Sequence, residues 1–472
     1  MTDPTILLVA VAILWLLAAL RFPRHAVWLL LLWVPVQGWF QLNVFNDSSA
    51  TVLLYEYQII GLYLVFAVRA LHAPHGFGPP SVMWFALPFV VWAFSLTPRS
   101  IAENGALMTL IGLRTYLLPL PLVWIGYRAF ETRRQLENVG WLVAVQLVLI
   151  AAVAATQFAG VASATGTIFA VPLGWGLAGV LRPPGTFSSP GHYGMYILFS
   201  VPFAVGLLGL STPLWRRLGI VSGLVGATVG LVVNTQRATI VLIPVVLFVA
   251  LFLARQRRAV ATTVIALAVV AAGGLIGNRV AGEAFASRVS SIARDVDNTL
   301  ATTNARFIDA MRTPVLGGGL GIAAPGIGRL IGPRFTSTSD TLSDKPSEAF
   351  MAALVYQMGV PGLLLFYLFI AAIMYWGLQA LCVCRGTDMG LFAATIFSFE
   401  VAICLQSWAY DPLHFPPSRV LFWVWAGVLL SLPRLAARAA IPQPGVMPRR
   451  ALVPTRRLVS PPRPSTRRPS VA

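Results

Sequence analysis

Lysine is almost missing from this sequence: Lys345 is the only one among 34 basic residues, so arginine carries the positive charge. That bias fits a GC-rich coding sequence. Charge of either sign is scarce, at 11% of 472 residues, against roughly a quarter in a soluble domain. Hydrophobic residues make up 57%, mean hydropathy is +0.77, and the apolar residues come in runs of sixteen or more. Such runs are too long and too many for the core helices of a water-soluble fold. Only three cysteines occur, Cys382, Cys384 and Cys404, with no histidine at a zinc-ligand spacing, which excludes a disulfide framework and a zinc ribbon. The net charge of +18 is not a nucleic-acid footprint. Nine arginines and no acidic residue lie in the last forty positions, and most others flank apolar runs, as the positive-inside rule requires. No basic segment precedes the first run, and Arg21 and Arg24 follow it, so it reads as a first helix with its N-terminus outside rather than a signal peptide.

What is present is a series of thirteen apolar runs, near 5–20, 26–42, 51–68, 81–97, 106–127, 138–157, 192–210, 218–234, 239–254, 259–277, 352–378, 388–410 and 418–432. Every second connection carries arginine: Arg21/Arg24, Arg69, Arg128/Arg133/Arg134, Arg216/Arg217, Arg255/Arg257/Arg258, Arg385, and the tail from Arg434. The alternation predicts an all-α polytopic transmembrane bundle of 12–13 helices with its C-terminus in the cytoplasm. Residues 1–277 hold helices 1–10, 278–351 form a large extracytoplasmic loop, 352–432 hold helices 11–13, and 433–472 form a Pro/Arg-rich tail. That composition predicts a disordered cytoplasmic tail resting on anionic lipid. In the loop, 284–296 and 303–313 read as short amphipathic helices. A long extracytoplasmic segment also spans 158–191. No inverted repeat relates the two halves, which counts against a secondary transporter.

Ionisable groups inside a bilayer cost at least about 2.5–3.5 kcal/mol each on insertion scales. Glu56, Arg114 and Glu400 lie well within apolar runs. An ion pair of Arg114 with Glu56 or Glu400 is the structural reading, and a substrate contact the functional one. Three further arginines fall on the side where the positive-inside rule does not draw them: Arg182 in RPPGTFSSPGHYGMY, Arg237 in NTQRAT, and Arg306 in NARFIDAMRTPVLGGGLG. Their planar forks suit bidentate contact with phosphate oxygens. GGGLGIAAPGIG at 317–328 lacks a surrounding βαβ unit and reads as a tight, close-packed loop, not a dinucleotide site. Glu348, where the chain re-enters the membrane, is either a helix N-terminal carboxylate or a proton acceptor.

Taken in order, RPPGTFSSPGHYGMY, NTQRAT, ARFIDAMRTPVLGGGLG and SEAFMAALVYQMGVPGLLLFYL resemble four segments of the O-antigen ligase/polymerase superfamily, over roughly 180–370. GLRTYLLPLPL also resembles a segment of some polymerase-like members. The resemblance implies a GT-C-like glycosyltransferase in the bacterial plasma membrane, its active face extracytoplasmic. It would polymerise or ligate undecaprenyl-pyrophosphate-linked oligosaccharides for surface polysaccharide. Its chemistry would be inverting, with no metal or cofactor, on a lipid-linked donor and a glycan or lipid acceptor. Membrane lipids, and a chain-length regulator or flippase, would be its partners, and nucleic acid would not. Arg182, Arg237 and Arg306, with Arg114, would hold the pyrophosphate, and Glu348 or His192 would serve as base. Ligases carry a His-Asn pair where this chain reads Ser347-Glu348-Ala349, which leans the resemblance toward a polymerase. The rival readings are a transporter or flippase of glycan precursors, with Glu56, Arg114 and Glu400 on its path, and a non-enzymatic component of an envelope assembly.

The arginine pattern makes a direct prediction. In a cysteine-free background, a cysteine at Ser337 reacts with an impermeant thiol reagent in intact cells and one at Ser465 does not. Equal labelling of both would overturn the topology.

Overall fold

A computed structural model describes residues 4–44, 54–72, 78–160, 176–177, 180–210, 213–255, 290–323, 349–415 and 417–440, with a few isolated positions between 264 and 275. The helices are α1 Pro4–Arg21, α2 Pro23–Trp33, α3 Gln37–Asn43, α4 Leu54–His72, α5 Leu87–Asn104, α6 Ala106–Leu117, α7 Leu122–Ala129 and α8 Arg133–Phe158. They continue as α9 Pro190–Leu208, α10 Leu214–Asn234, α11 Arg237–Ala254, α12 Ile292–Met311, α13 Phe350–Cys384, α14 Gly390–Gln406 and α15 Ser418–Ala440. Eight helices among the described residues are long and apolar enough to cross a membrane. Twelve of the thirteen apolar runs coincide with helix, and the run at 259–277 lies almost wholly outside the described residues. Large side chains such as Leu64, Phe248, Phe252 and Leu364 remain exposed on these helices, a surface suited to hydrocarbon rather than water. The core between helices is aromatic. Trp425 of α15 packs against Phe199 and Phe203 of α9, and Trp423 stacks on Phe369 of α13.

Several elements differ from the sequence expectation. The second run is broken around Pro35 into α2 and α3, and the fifth around Pro119 and Pro121 into α6 and α7, because proline gives no N–H and clashes with the preceding turn. In the loop, 292–296 and 303–311 belong to one continuous helix, α12, rather than to two short ones, and 284–289 lies outside the described residues. The all-helical class holds, with one addition: Gly176–Leu177 pairs antiparallel with Val180–Leu181 in a two-residue ladder.

Arginines from alternate connections gather at one end of the bundle. Arg133 bonds both Glu137 and Asp388, Arg216 reaches Glu137, Arg385 donates to the Leu253 carbonyl, and Arg434 donates to that of Tyr127. The opposite end is organised by backbone. Gly359 (φ 70°) interrupts α13, and Pro361 has no N–H to return to the Gln357 carbonyl. Backbone groups left unpaired in a dry interior cost several kcal/mol each, about the strength of the bonds they lose. Here the freed carbonyls of Tyr356, Gln357 and Met358 accept from Gly318 N (2.8 Å), Gly319 N (3.1 Å) and Trp92 Nε1 (3.0 Å). The buried Gln357 side chain completes the joint, accepting from Gly321 N and donating to the Tyr116 hydroxyl. Ser100 accepts from Leu320 N, and Asn104 donates to the Gly318 carbonyl. The start of the glycine-rich run is thus a close-packed loop fixed to α5, α6 and α13.

Gly321 has φ 93°, and a Cβ there would collide with the Met108 carbonyl oxygen. Gly321→Ala should therefore destabilise the protein by on the order of 1–3 kcal/mol, read as a lower Tm in detergent. Gly78→Ala, where a Cβ meets nothing within 4 Å, should leave the Tm unchanged. Equal Tm values for the two variants would refute this account of the joint.

Candidate functional site

The end opposite the arginine cluster collects the segments that the sequence singles out. RPPGTFSSP is held from three sides. Gly185 (φ 62°) exchanges two 2.9 Å bonds with the side chain of Gln157, donating to Oε1 and accepting from Nε2. Thr186 donates to the Pro35 carbonyl and accepts, through its own carbonyl, from Trp39 N. Phe187 stacks on Tyr193 at 5.6 Å. Ser189 then caps α9, accepting from His192 N, with Pro190 in the first turn where its missing N–H costs nothing.

Asn234 binds this segment to NTQRAT. Its amide donates 3.0 Å bonds to the carbonyls of Pro183 and Pro190, while Arg182 Nε donates to the Asn234 carbonyl at 3.4 Å. Thr235 turns the chain with φ 53°, unusual for a β-branched residue, and Arg237 opens α11. Thr239 donates to the Gly194 carbonyl, and a Cβ on Gly194 would strike the Gln236 side chain. Two distant motifs, and with them Arg182 and Arg237, thus share one corner where α9 and α11 both begin. Each helix start adds partial positive charge to that corner.

Arg306 lies half-buried on α12. Its neighbours fasten that helix to the connection between α14 and α15: Phe307 packs on Trp408 at 4.7 Å, and Trp408 Nε1 donates to Asn304. The same connection accepts the first N–H groups of α13, Phe350 N at the Tyr410 carbonyl and Met351 N at that of Ser407. It also reaches α9, because Phe415 packs on His192 at 5.7 Å and the Tyr410 hydroxyl lies beside Gly191. His192 Nδ1 pairs with the Ser188 hydroxyl at 3.0 Å. Glu348, just ahead of α13, lies outside the described residues.

Within this connection His414, an outer histidine, is paired with Asp411. His414 Nδ1 meets Asp411 Oδ2 at 2.6 Å, and His414 N donates to Asp411 Oδ1 at 3.1 Å. Both residues are buried, and the imidazole sits between the rings of Tyr116 and Phe350, 4.7 Å from each. Holding the proton on Nδ1 leaves Nε2 with its lone pair, and Nε2 has no partner among the described residues. The available signal was an Asp and a His three residues apart in a short connection between apolar runs.

Arg114 belongs to a different interface. Its Nε lies 3.4 Å from Glu56 Oε1 on α4, and Arg419 Nη2 from the start of α15 approaches the same oxygen at 3.4 Å. The structural pairing is therefore the one with Glu56. Glu400 is fully buried in α14, and neither of its carboxyl oxygens has a partner among the described residues. A scan of known family models and a search of curated proteins return no match to this chain.

The Asn234 clamp predicts its own variant. Asn234→Asp replaces a donor with a negative acceptor facing two carbonyls, so it should lower stability by more than Asn234→Ala. The alanine itself should cost about 1–3 kcal/mol through the unsatisfied groups, and thermal unfolding in detergent ranks the two. The reverse order would show that the amide does not join these segments.

Proposed function

We propose that the protein is an extracytoplasmic-facing membrane glycosyltransferase that extends or transfers lipid-pyrophosphate-linked oligosaccharides. The observation that carries this reading is the clamping of RPPGTFSSP to NTQRAT, which puts Arg182 and Arg237 at one corner where two helices start. Arg306 joins from α12, tied to the same end through Trp408. As the anomeric C–O bond breaks, negative charge builds on the leaving pyrophosphate. Fixed guanidinium groups stabilise that charge without reorganising. The acceptor hydroxyl attacks the opposite face of the sugar, so the configuration inverts, and its proton passes to a base.

Glu348 and His192 are the candidates for that base from sequence, and Asp411–His414 is the one added by geometry. We assign the step to His414, whose tautomer Asp411 fixes. Phe350, which covers the ring, starts α13.

The test supplies lipid-pyrophosphate oligosaccharide to purified protein and follows longer or transferred glycans. Arg237→Lys should not restore activity, because a point charge cannot reproduce bidentate contact. In Asp411→Asn the single carbonyl cannot accept from both His414 N and Nδ1. With the amide NH2 facing Nδ1, the ring proton moves to Nε2 and the base is lost. Turnover should drop by roughly 10²–10⁴-fold with donor binding retained, while Glu348→Gln and His192→Asn lose less. Full activity of Arg237→Lys would sink the donor site, and wild-type turnover in Asp411→Asn would sink the assignment of the base.

A further inference from the structure

The Arg114–Glu56–Arg419 cluster is not electrically balanced. Two guanidinium groups share one carboxylate oxygen, and no other ionic partner of either arginine is found among the described residues. Arg419 and Glu56 are about 4% and 5% exposed, so among the described residues an excess of one positive charge is held in a largely apolar setting. A buried charge without a counter-charge is strongly disfavoured. Polar capacity is also left over: Arg114 Nε, Arg419 Nε and Glu56 Oε2 have no hydrogen-bond partner among the described residues.

The approach to the cluster shows what kind of anion fits. Arg114 keeps 16% exposure and lies on the same stripe of α6 as Leu107 and Leu110, which are 55% and 63% exposed. On α4, Tyr57 and Ile60, beside Glu56 in sequence, are 41% and 43% exposed. Exposed apolar faces on the helices of a membrane bundle meet hydrocarbon, so an anion reaching Arg114 along them carries an apolar chain. The charge excess of one matches a phosphodiester, which bears a single negative charge, better than a pyrophosphate, which bears more.

We infer that Arg114 and Arg419 form a binding site for the phosphodiester headgroup of an anionic phospholipid, distinct from the Arg182–Arg237 corner. The phosphate oxygens take the remaining guanidinium donors, with the acyl chains along α4 and α6. Glu56 keeps the arginines apart and limits the site to one net positive charge. The inference rests on charge and exposure, and it stands whether or not the protein transfers sugars.

Native mass spectrometry of the full chain in detergent, titrated with phosphatidylglycerol, tests it. The wild type should retain one phosphatidylglycerol in preference to phosphatidylcholine. Arg114→Gln should weaken retention at least about fivefold, and Arg114→Lys should keep most of it. Glu56→Gln should strengthen retention, because it raises the charge excess. Arg99→Gln, an exposed arginine already paired with Glu103, should match the wild type. The two opposite signs separate this outcome from misfolding, which weakens binding in either variant. Equal retention in Arg114→Gln, Glu56→Gln and wild type would overturn the site. Release of the lipid by millimolar inorganic phosphate would overturn the lipid as the source of the anion. Displacement by stoichiometric polyprenyl pyrophosphate would overturn the phospholipid assignment and return Arg114 to the donor.

Discussion

The break in α13 at Gly359 is the constraint on which the functional end of this protein depends. A continuous helix satisfies its own backbone and needs nothing from its neighbours, which is why helices cross membranes. Interrupting one frees carbonyls that must be met from elsewhere. Here the donors come from a glycine-rich turn and from Trp92. The break therefore fixes where the turn sits, and the turn follows α12 and Arg306 in the chain. The half-helix before the break, Phe350–Met358, meets the connection between α14 and α15 through its first two N–H groups. One interrupted helix thus sets the height of the turn, the start of α13 and the Asp411–His414 pair together.

Electrostatics divides this end into two regions that share the 407–417 connection. On one side Arg182 and Arg237 lie where α9 and α11 start, with His192 against Phe415. On the other, His414 touches Tyr116 of α6, and Arg419, five residues later, touches Glu56 of α4. Tyr116 and Arg114 leave α6 in different directions, one toward the dyad and one toward the ion pair. A headgroup held at Arg114 would brace α6 against α4 and α15, and so support the wall on which His414 rests. The two regions are different in kind: the first offers convergent arginines and helix starts, the second a fixed imidazole and a single unbalanced charge.

Much of the fold was legible because it rests on one-dimensional signals. Apolar runs mark helices, and arginine in alternate connections predicted an end where Arg133, Arg216, Arg385 and Arg434 do gather. Proline positions could have placed the breaks at 34–36 and 118–121. The motif segments were visible as polar islands, but the residues that join them were not. Asn234 and Gln357 are ordinary amides in apolar runs, and only the folded chain shows that one clamps two loops and the other fills a helix break. Nothing local marks Arg419, since its partner lies 363 positions away. Asp411–His414 has no periodicity to expose it, and its meaning comes from burial between Tyr116 and Phe350.

The distribution of polar groups among the described residues also bears on the choice between the proposed transferase and a transporter. A transport path needs several polar groups in succession near the middle of the bilayer, usually at broken helices in symmetry-related halves. Of the three ionisable residues within the apolar runs, Glu56 and Arg114 are bound to each other near the starts of α4 and α15, leaving Glu400. Glu400 sits in α14 beside Phe397 and Phe399 in the chain, and the other buried polar residues of that helix are Thr395, Ser398 and Gln406. One carboxyl without a partner among the described residues does not make a path. The break in α13 could have opened a cavity, but its freed carbonyls are taken up by the glycine turn and Trp92. A broken helix sealed by its own loop is built to hold a surface in place, which is what transfer between two docked substrates requires.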